Sequence, residues 1–208
     1  MIDEEIEQAG LPRRLSKGRA FVYVIPCRDD TRFKIGFARD PIERWRSLHA
    51  RFYTYFDLQR GLLLETTRVA EARVIEQHLL SEFRDFEAPA PLDIASVAGG
   101  SSEWRRGVLD DVVAEAIALA SANGLLLHRP ASAWLRVYLL GRRELLFDWS
   151  TRLLEQVEYE REHGDPSRPP LAARALQDTL DAYAIAGIDL ADHLPAAVAR
   201  WRKKTGDA

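Results

Sequence analysis

Two short apolar runs in the first quarter of the chain predict a β-hairpin. Residues 21–25 and 33–37 are rich in Val, Ile, Phe and Tyr, and a polar turn with Pro and Asp separates them. This pattern is typical of two paired strands. Tyr23 then lies in mid-strand, while Lys34 must point to solvent or into a polar cleft because it carries a charge. Gly36 indicates that a large group approaches the backbone there.

Helical patterns follow the hairpin. Asp40 and Pro41 are typical of a helix start, and a weaker apolar run predicts a third strand. We therefore expect an α/β domain with a small three-stranded antiparallel sheet flanked by helices, followed by an all-helical C-terminal region. The predicted segments are a lead-in at 1–17, the α/β domain at 18–123 and the helical domain at 124–208. The third strand is predicted at 55–64. Helices are predicted at 41–51, 68–84, 105–122, 131–162 (broken near Gly141), 171–186 and 195–204.

Glu76 is a charged residue on the apolar side of the predicted helix 68–84. On a helical wheel it falls among apolar positions, between Phe83 and Val69. A carboxylate in an apolar stripe is costly unless it is paired or binds a metal. From the residues alone, Glu76 is either half of a structural ion pair with an arginine or part of a functional site.

Charge is distributed unevenly along the chain. The net charge is −3, yet residues 13–60 hold 12 Lys and Arg against 5 Asp and Glu. A basic segment in an acidic chain is the expected footprint of a phosphate-binding surface, although a solvated charged face has the same composition. One cysteine excludes an internal disulfide, and no apolar run predicts a membrane span, so we expect a cytoplasmic protein.

The hairpin resembles the GIY-YIG endonuclease superfamily. The first motif reads Phe21-Val22-Tyr23 and the second reads Lys34-Ile35-Gly36, and an Arg-Trp pair, Arg44 and Trp45, follows early in the next helix. Lys at the start of the second motif is similar to the KIG variant of phage-encoded DNA-binding proteins and some restriction nucleases. A Glu-Trp pair at residues 103–104 also resembles that branch, and the likeness covers roughly residues 18–118.

The resemblance implies a metal-dependent DNA endonuclease. Tyr23 would take a proton from the attacking water or position it, Lys34 would supply positive charge, and Arg44 would bind the phosphate. Glu76 would hold Mg²⁺ or Mn²⁺. Arg46, Arg51 and Gly36 are the further substrate-binding candidates. Family members often carry a Tyr or His about four residues after the Arg; Leu48 stands there, and His49 lies one step on.

Two alternatives stay open. The chain could be a catalytically inactive DNA-binding module of the same fold, or an interaction protein whose helical half carries the function. The resemblance stops near Gly124, and the C-terminal helices carry no motif. The predicted partners are DNA and a second copy of the chain, which could form a homodimer through those helices. No membrane partner is predicted.

Overall fold

A computed structural model describes residues 17–94, 100–165, 170–191 and 193–206. The predicted lead-in, apart from Lys17, and most of the predicted linker at 165–170 lie outside the described residues. The chain divides into two compact units, one ending at Ser132 and the other beginning at Ala133.

The first unit contains one five-stranded antiparallel sheet. Its strand order is β4-β2-β1-β3-β5. The prediction of a small three-stranded sheet is therefore wrong, because two further strands extend it, one at each edge. The strands are β1 (Lys17–Pro26), β2 (Arg32–Ala38), β3 (Leu62–Arg68), β4 (Trp104–Arg106) and β5 (Leu126–His128).

The added strands explain where the sequence prediction failed. β4 and β5 have three residues each, too few to show a two-residue period. β4 occupies the start of the predicted helix 105–122, and β5 lies in the region expected to be all helical. The predicted strand 55–64 is also displaced, since β3 begins only at Leu62 and residues 52–55 form a short helix.

Eight α-helices complete the described part of the chain. Asp40 caps α1, and its carboxylate accepts hydrogen bonds from the N–H groups of Ile42 and Glu43. The bounds are α1 (Pro41–Leu48), α2 (Phe52–Tyr55), α3 (Val69–Glu82), α4 (Leu109–Asn123), α5 (Ala131–Leu140), α6 (Arg143–His163), α7 (Leu171–Ile185) and α8 (Ala196–Gly206).

The two faces of the sheet have different partners. Val22, Val24 and Ile35 point to one face and are fully buried against α3 and α4 in the main apolar core. Tyr23 points to the other face, where its ring meets Trp45 of α1 edge-on at 6.0 Å between centroids. Because side chains alternate along β1 and β2, Lys34 and Gly36 share the Tyr23 face.

The second unit is helical. α6 and α7 pack on each other, and Arg136 of α5 donates hydrogen bonds to the carbonyls of Ala186 and Gly187 just after α7. The predicted break near Gly141 is confirmed, because α5 ends at Leu140 and α6 begins at Arg143. Among the described residues, no helix combines the length and apolar character that a membrane crossing needs.

Candidate functional site: a buried polar cluster at the edge of β2

Tyr23 and Gly36 face each other across the β1–β2 pairing. A Cβ atom added to Gly36 would lie 2.5 Å from the Tyr23 hydroxyl oxygen. The large group that approaches Gly36 is therefore the Tyr23 ring itself. Tyr23 has no solvent exposure, and its hydroxyl makes no hydrogen bond of acceptable geometry within the described residues.

The phenol of Tyr23 is held in its neutral form. Burial raises its pKa well above the usual value for a tyrosine. The guanidinium of Arg44 opposes that rise, while the carboxylates of Glu103 and Glu76 add to it. The cation that favours a phenolate at Tyr23 is thus Arg44, carried to this place by α1.

Lys34 is fully buried and forms an ion pair. Its Nζ donates to Glu103 Oε2 at 2.6 Å and to the carbonyl of Gly100 at 2.9 Å, and it lies 5.3 Å from the Trp104 ring centroid. Burial lowers the pKa of Lys34, and the charge of Glu103 opposes this effect. The pairing of Lys34 with Trp104 across β2 and β4 brings Glu103 to the ammonium.

Glu76 reaches the same place from α3. Its exposed fraction is only 8%. Burial, and then the negative charge of Glu103, raise the pKa of Glu76 to about 7. Lys34 and Arg73 oppose that rise, as does a hydrogen bond from the backbone N–H of Phe37. Phe37 lies beyond the part of β2 that pairs with β4, so its N–H is available to Glu76.

The structure therefore brings the four predicted catalytic residues into one group. We call it the polar cluster: Tyr23, Lys34, Arg44, Glu76 and Glu103. Each charged member influences the pKa of at least one other member. Sequence reasoning gave Glu103 no role, although the Glu-Trp pair on which the resemblance partly rests contains it.

The predicted substrate-binding arginines lie apart from this group. Arg46 is two residues after Arg44, about 200° around the helix, and is exposed. Arg51 is also exposed, with its guanidinium 5.9 Å from the Tyr53 ring centroid. His49 stacks on Tyr55 at 4.4 Å, and its Nδ1 accepts a hydrogen bond from the Arg51 N–H, which gives it a structural role at the end of α1.

The donor set of the polar cluster suits a hard divalent cation. Within the described ranges, no group of three or more His, Cys, Asp and Glu side chains is placed to hold a metal ion. Mg²⁺ is usually held by one or two protein carboxylates together with waters and substrate phosphates. The buried Glu76 carboxylate supplies one such ligand, so the cluster fits the cation that the resemblance implies if waters and substrate phosphates supply the others.

Comparisons with protein-family models, with curated proteins and with solved structures give no match.

Proposed function

We propose that the first unit is a metal-dependent DNA endonuclease that hydrolyses phosphodiester bonds with a GIY-YIG-like site. The observation that supports it best is the convergence of Tyr23, Lys34, Arg44 and Glu76, which come from two strands and two helices. Phosphodiester hydrolysis needs positioned groups of these kinds: a hydroxyl, cations and a carboxylate.

Tyr23 and Arg44 act on the water and the phosphate. Because burial keeps the phenol neutral, Tyr23 orients the attacking water by hydrogen bonding and does not take its proton. Arg44 also offers paired N–H donors to phosphate oxygens.

Lys34 and Glu76 complete the site. Glu76 would hold a Mg²⁺ or Mn²⁺ ion, which when bound polarises the phosphate and stabilises the charge that develops in the transition state. Lys34 places a second positive charge behind that phosphate, and Glu103 keeps the ammonium in position. The exposed basic residues between 17 and 60, Arg46 and Arg51 among them, would contact phosphates farther along the DNA.

The inactive DNA-binding module is the second candidate. It is favoured by the complete burial of Tyr23 and Lys34, because a substrate phosphate reaches them only if the neighbouring segments separate. Both candidates predict DNA affinity that falls steeply with salt, since neutralised phosphates release counterions. Cleavage must therefore decide between them.

The test is nicking of supercoiled plasmid by the full chain with Mg²⁺, with Mn²⁺ and with chelator. We expect metal-dependent nicking by the wild type, none by Glu76→Gln, and strongly reduced nicking by Arg44→Ala. Glu82→Gln is the matched control, because Glu82 is an exposed carboxylate on the same helix. Wild-type protein that binds DNA with the expected salt dependence, yet cuts no DNA form in either metal, would establish the binding module.

The second unit and the cellular compartment stay predictions. A homodimer through the C-terminal helices would bury apolar side chains that are now exposed, among them Val137, Leu145 and Phe147. Sedimentation of the full chain tests this. The single cysteine, Cys27, is buried, and we place the protein in a reducing cytoplasm.

A further inference from the structure

The hydrogen bonds of the Lys34 ammonium both go to one short segment before β4. Lys34 Nζ donates to Glu103 Oε2 at 2.6 Å and to the carbonyl of Gly100 at 2.9 Å. We call residues 100–103 the turn segment. It is a single 3₁₀ turn with two exposed serines, so it gains little from its own burial. The contacts that hold the turn segment therefore also hold the ammonium.

Arg105 supplies such contacts. Only 2% of this residue is exposed. Its Nη1 donates to the carbonyls of Ser102 at 2.7 Å and Trp104 at 2.8 Å. Its Nη2 donates to the carbonyl of Leu80 at 2.7 Å, in the last turn of α3. One guanidinium therefore joins the turn segment to the end of α3.

The buried charge of Arg105 is held by backbone groups. Within the described ranges its guanidinium forms no ion pair, and its three hydrogen bonds all go to carbonyls. Carbonyls at the end of a helix carry partial negative charge, which offsets part of the cost of burying a cation. An apolar side chain would fill this space without that cost. The guanidinium adds a rigid fork of donors that reaches the helix and the turn segment at once.

We propose that Arg105 is a positioning residue: it fixes the turn segment against α3, and the turn segment holds the Lys34 ammonium in the polar cluster. Glu76 lies on the same helix, one turn before Leu80. Arg105 therefore sets the relative placement of Lys34 and Glu76 through the backbone. The inference rests on the proposed function only in giving Lys34 a catalytic role, and the anchoring of the ammonium does not depend on that role.

The experiment follows the ¹H–¹⁵N signal of the Lys34 ammonium in the full chain, at mildly acidic pH. Exposed ammonium protons exchange with water too fast to be detected, whereas a buried, hydrogen-bonded ammonium exchanges only when the structure opens locally. The chain contains four lysines, and Lys203 and Lys204 are exposed. Lys34→Met identifies the signal, because it removes it.

We expect the Lys34 ammonium protons to exchange at least about tenfold faster in Arg105→Met than in the wild type. Arg105→Lys should lie between the two, because an ammonium lacks the fork that spans both partners. The matched controls are Arg106→Met and Arg106→Lys, since Arg106 is the next residue and is exposed. Thermal unfolding checks that each variant folds, and if Arg105→Met does not, Arg105→Lys and Arg106→Lys make the comparison.

Val112→Ala separates positioning from a general loss of stability. Val112 is fully buried in the apolar core on α4, so its truncation destabilises the fold without removing a contact to the turn segment. Exchange that is as fast in Val112→Ala as in Arg105→Met would overturn the inference. Wild-type exchange in folded Arg105→Met would also overturn it, as would the absence of a Lys34 signal in the wild type.

Plasmid nicking is measured separately on the same variants. If the wild type nicks DNA, Arg105→Met should lower kcat with little change in DNA affinity, because the side chain is buried and acts through Lys34. If the wild type does not nick DNA, the proposed function fails, and the ammonium measurement still decides this inference. An active nuclease whose folded Arg105→Met variant keeps wild-type exchange would refute this inference alone.

Discussion

The two faces of the sheet in the first unit are built from alternate residues of the same strands, but their buried side chains have different surroundings. Val22, Val24 and Ile35 are buried in an apolar core against α3 and α4. Tyr23 and Lys34 on the opposite face are buried as deeply beside charged partners, although apolar side chains such as Phe21 and Ile25 are buried on that face as well. Residues that are equally buried therefore contribute to stability with opposite sign. Burying apolar area stabilises the fold, whereas burying charges costs free energy that pairing only partly offsets.

This difference indicates which residues are kept for stability and which for chemistry. A stable fold gains little from burying a lysine ammonium, a tyrosine hydroxyl and a glutamate carboxylate. Buried groups with strongly perturbed pKa values are concentrated at functional sites. We infer that the polar cluster is maintained for its binding chemistry, at a cost in stability that apolar packing on both faces of the sheet offsets.

The largest effect is expected from adjacent residues of β2 that point to opposite faces. Ile35→Ala should lower the free energy of unfolding by about 2–5 kcal/mol, because it opens a cavity in the apolar core. Lys34→Met should cost clearly less, since the Glu103 that it leaves unpaired retains contact with solvent. Urea unfolding measures the free energy of unfolding of both variants. A larger loss in Lys34→Met than in Ile35→Ala would contradict this prediction.

Gly36→Ala tests the close approach of the Tyr23 ring to the backbone at position 36. The added methyl group would meet the Tyr23 ring, so we expect a loss of roughly 1–3 kcal/mol from overpacking, together with reduced nicking. Gly141→Ala is the control, because its new methyl group would lie 3.6 Å from the nearest backbone atoms. If the two variants have the same unfolding temperature, the contact with the Tyr23 ring is not the reason for glycine at position 36.

The sequence predicted part of this arrangement. The β1–β2 hairpin is confirmed, and Glu76 is indeed a carboxylate buried in an otherwise apolar helix face. Both follow from local periodicity. The edge strands β4 and β5 could not be predicted, because three residues carry no period and their pairing depends on distant parts of the chain. Glu103 was missed for the same reason, since only β4 brings it to Lys34.

The smallest effects are expected at exposed arginines. Arg46→Ala and Arg51→Ala should each change stability by less than about 0.5 kcal/mol, because neither side chain is buried. If each contacts one phosphate, its loss should weaken binding to all DNA sequences and reduce the salt-dependence slope by about 1. Fluorescence anisotropy across a salt series measures that slope, and an unchanged slope would remove the residue from the DNA-binding surface.

The most direct test of the central claim is the unfolding free energy of Glu76→Gln against wild type, measured at pH 5 and pH 8. The pKa of Glu76 is raised by folding from 4.5 to about 7, so ionisation destabilises the native state progressively over that range and fully above it. We predict that Glu76→Gln stabilises the protein at pH 8 by on the order of 1–3 kcal/mol, with a smaller gain at pH 5. If Glu76→Gln is instead less stable than wild type at pH 8, Glu76 is a structural ion-pair partner, and its buried carboxylate is not kept at a cost to stability.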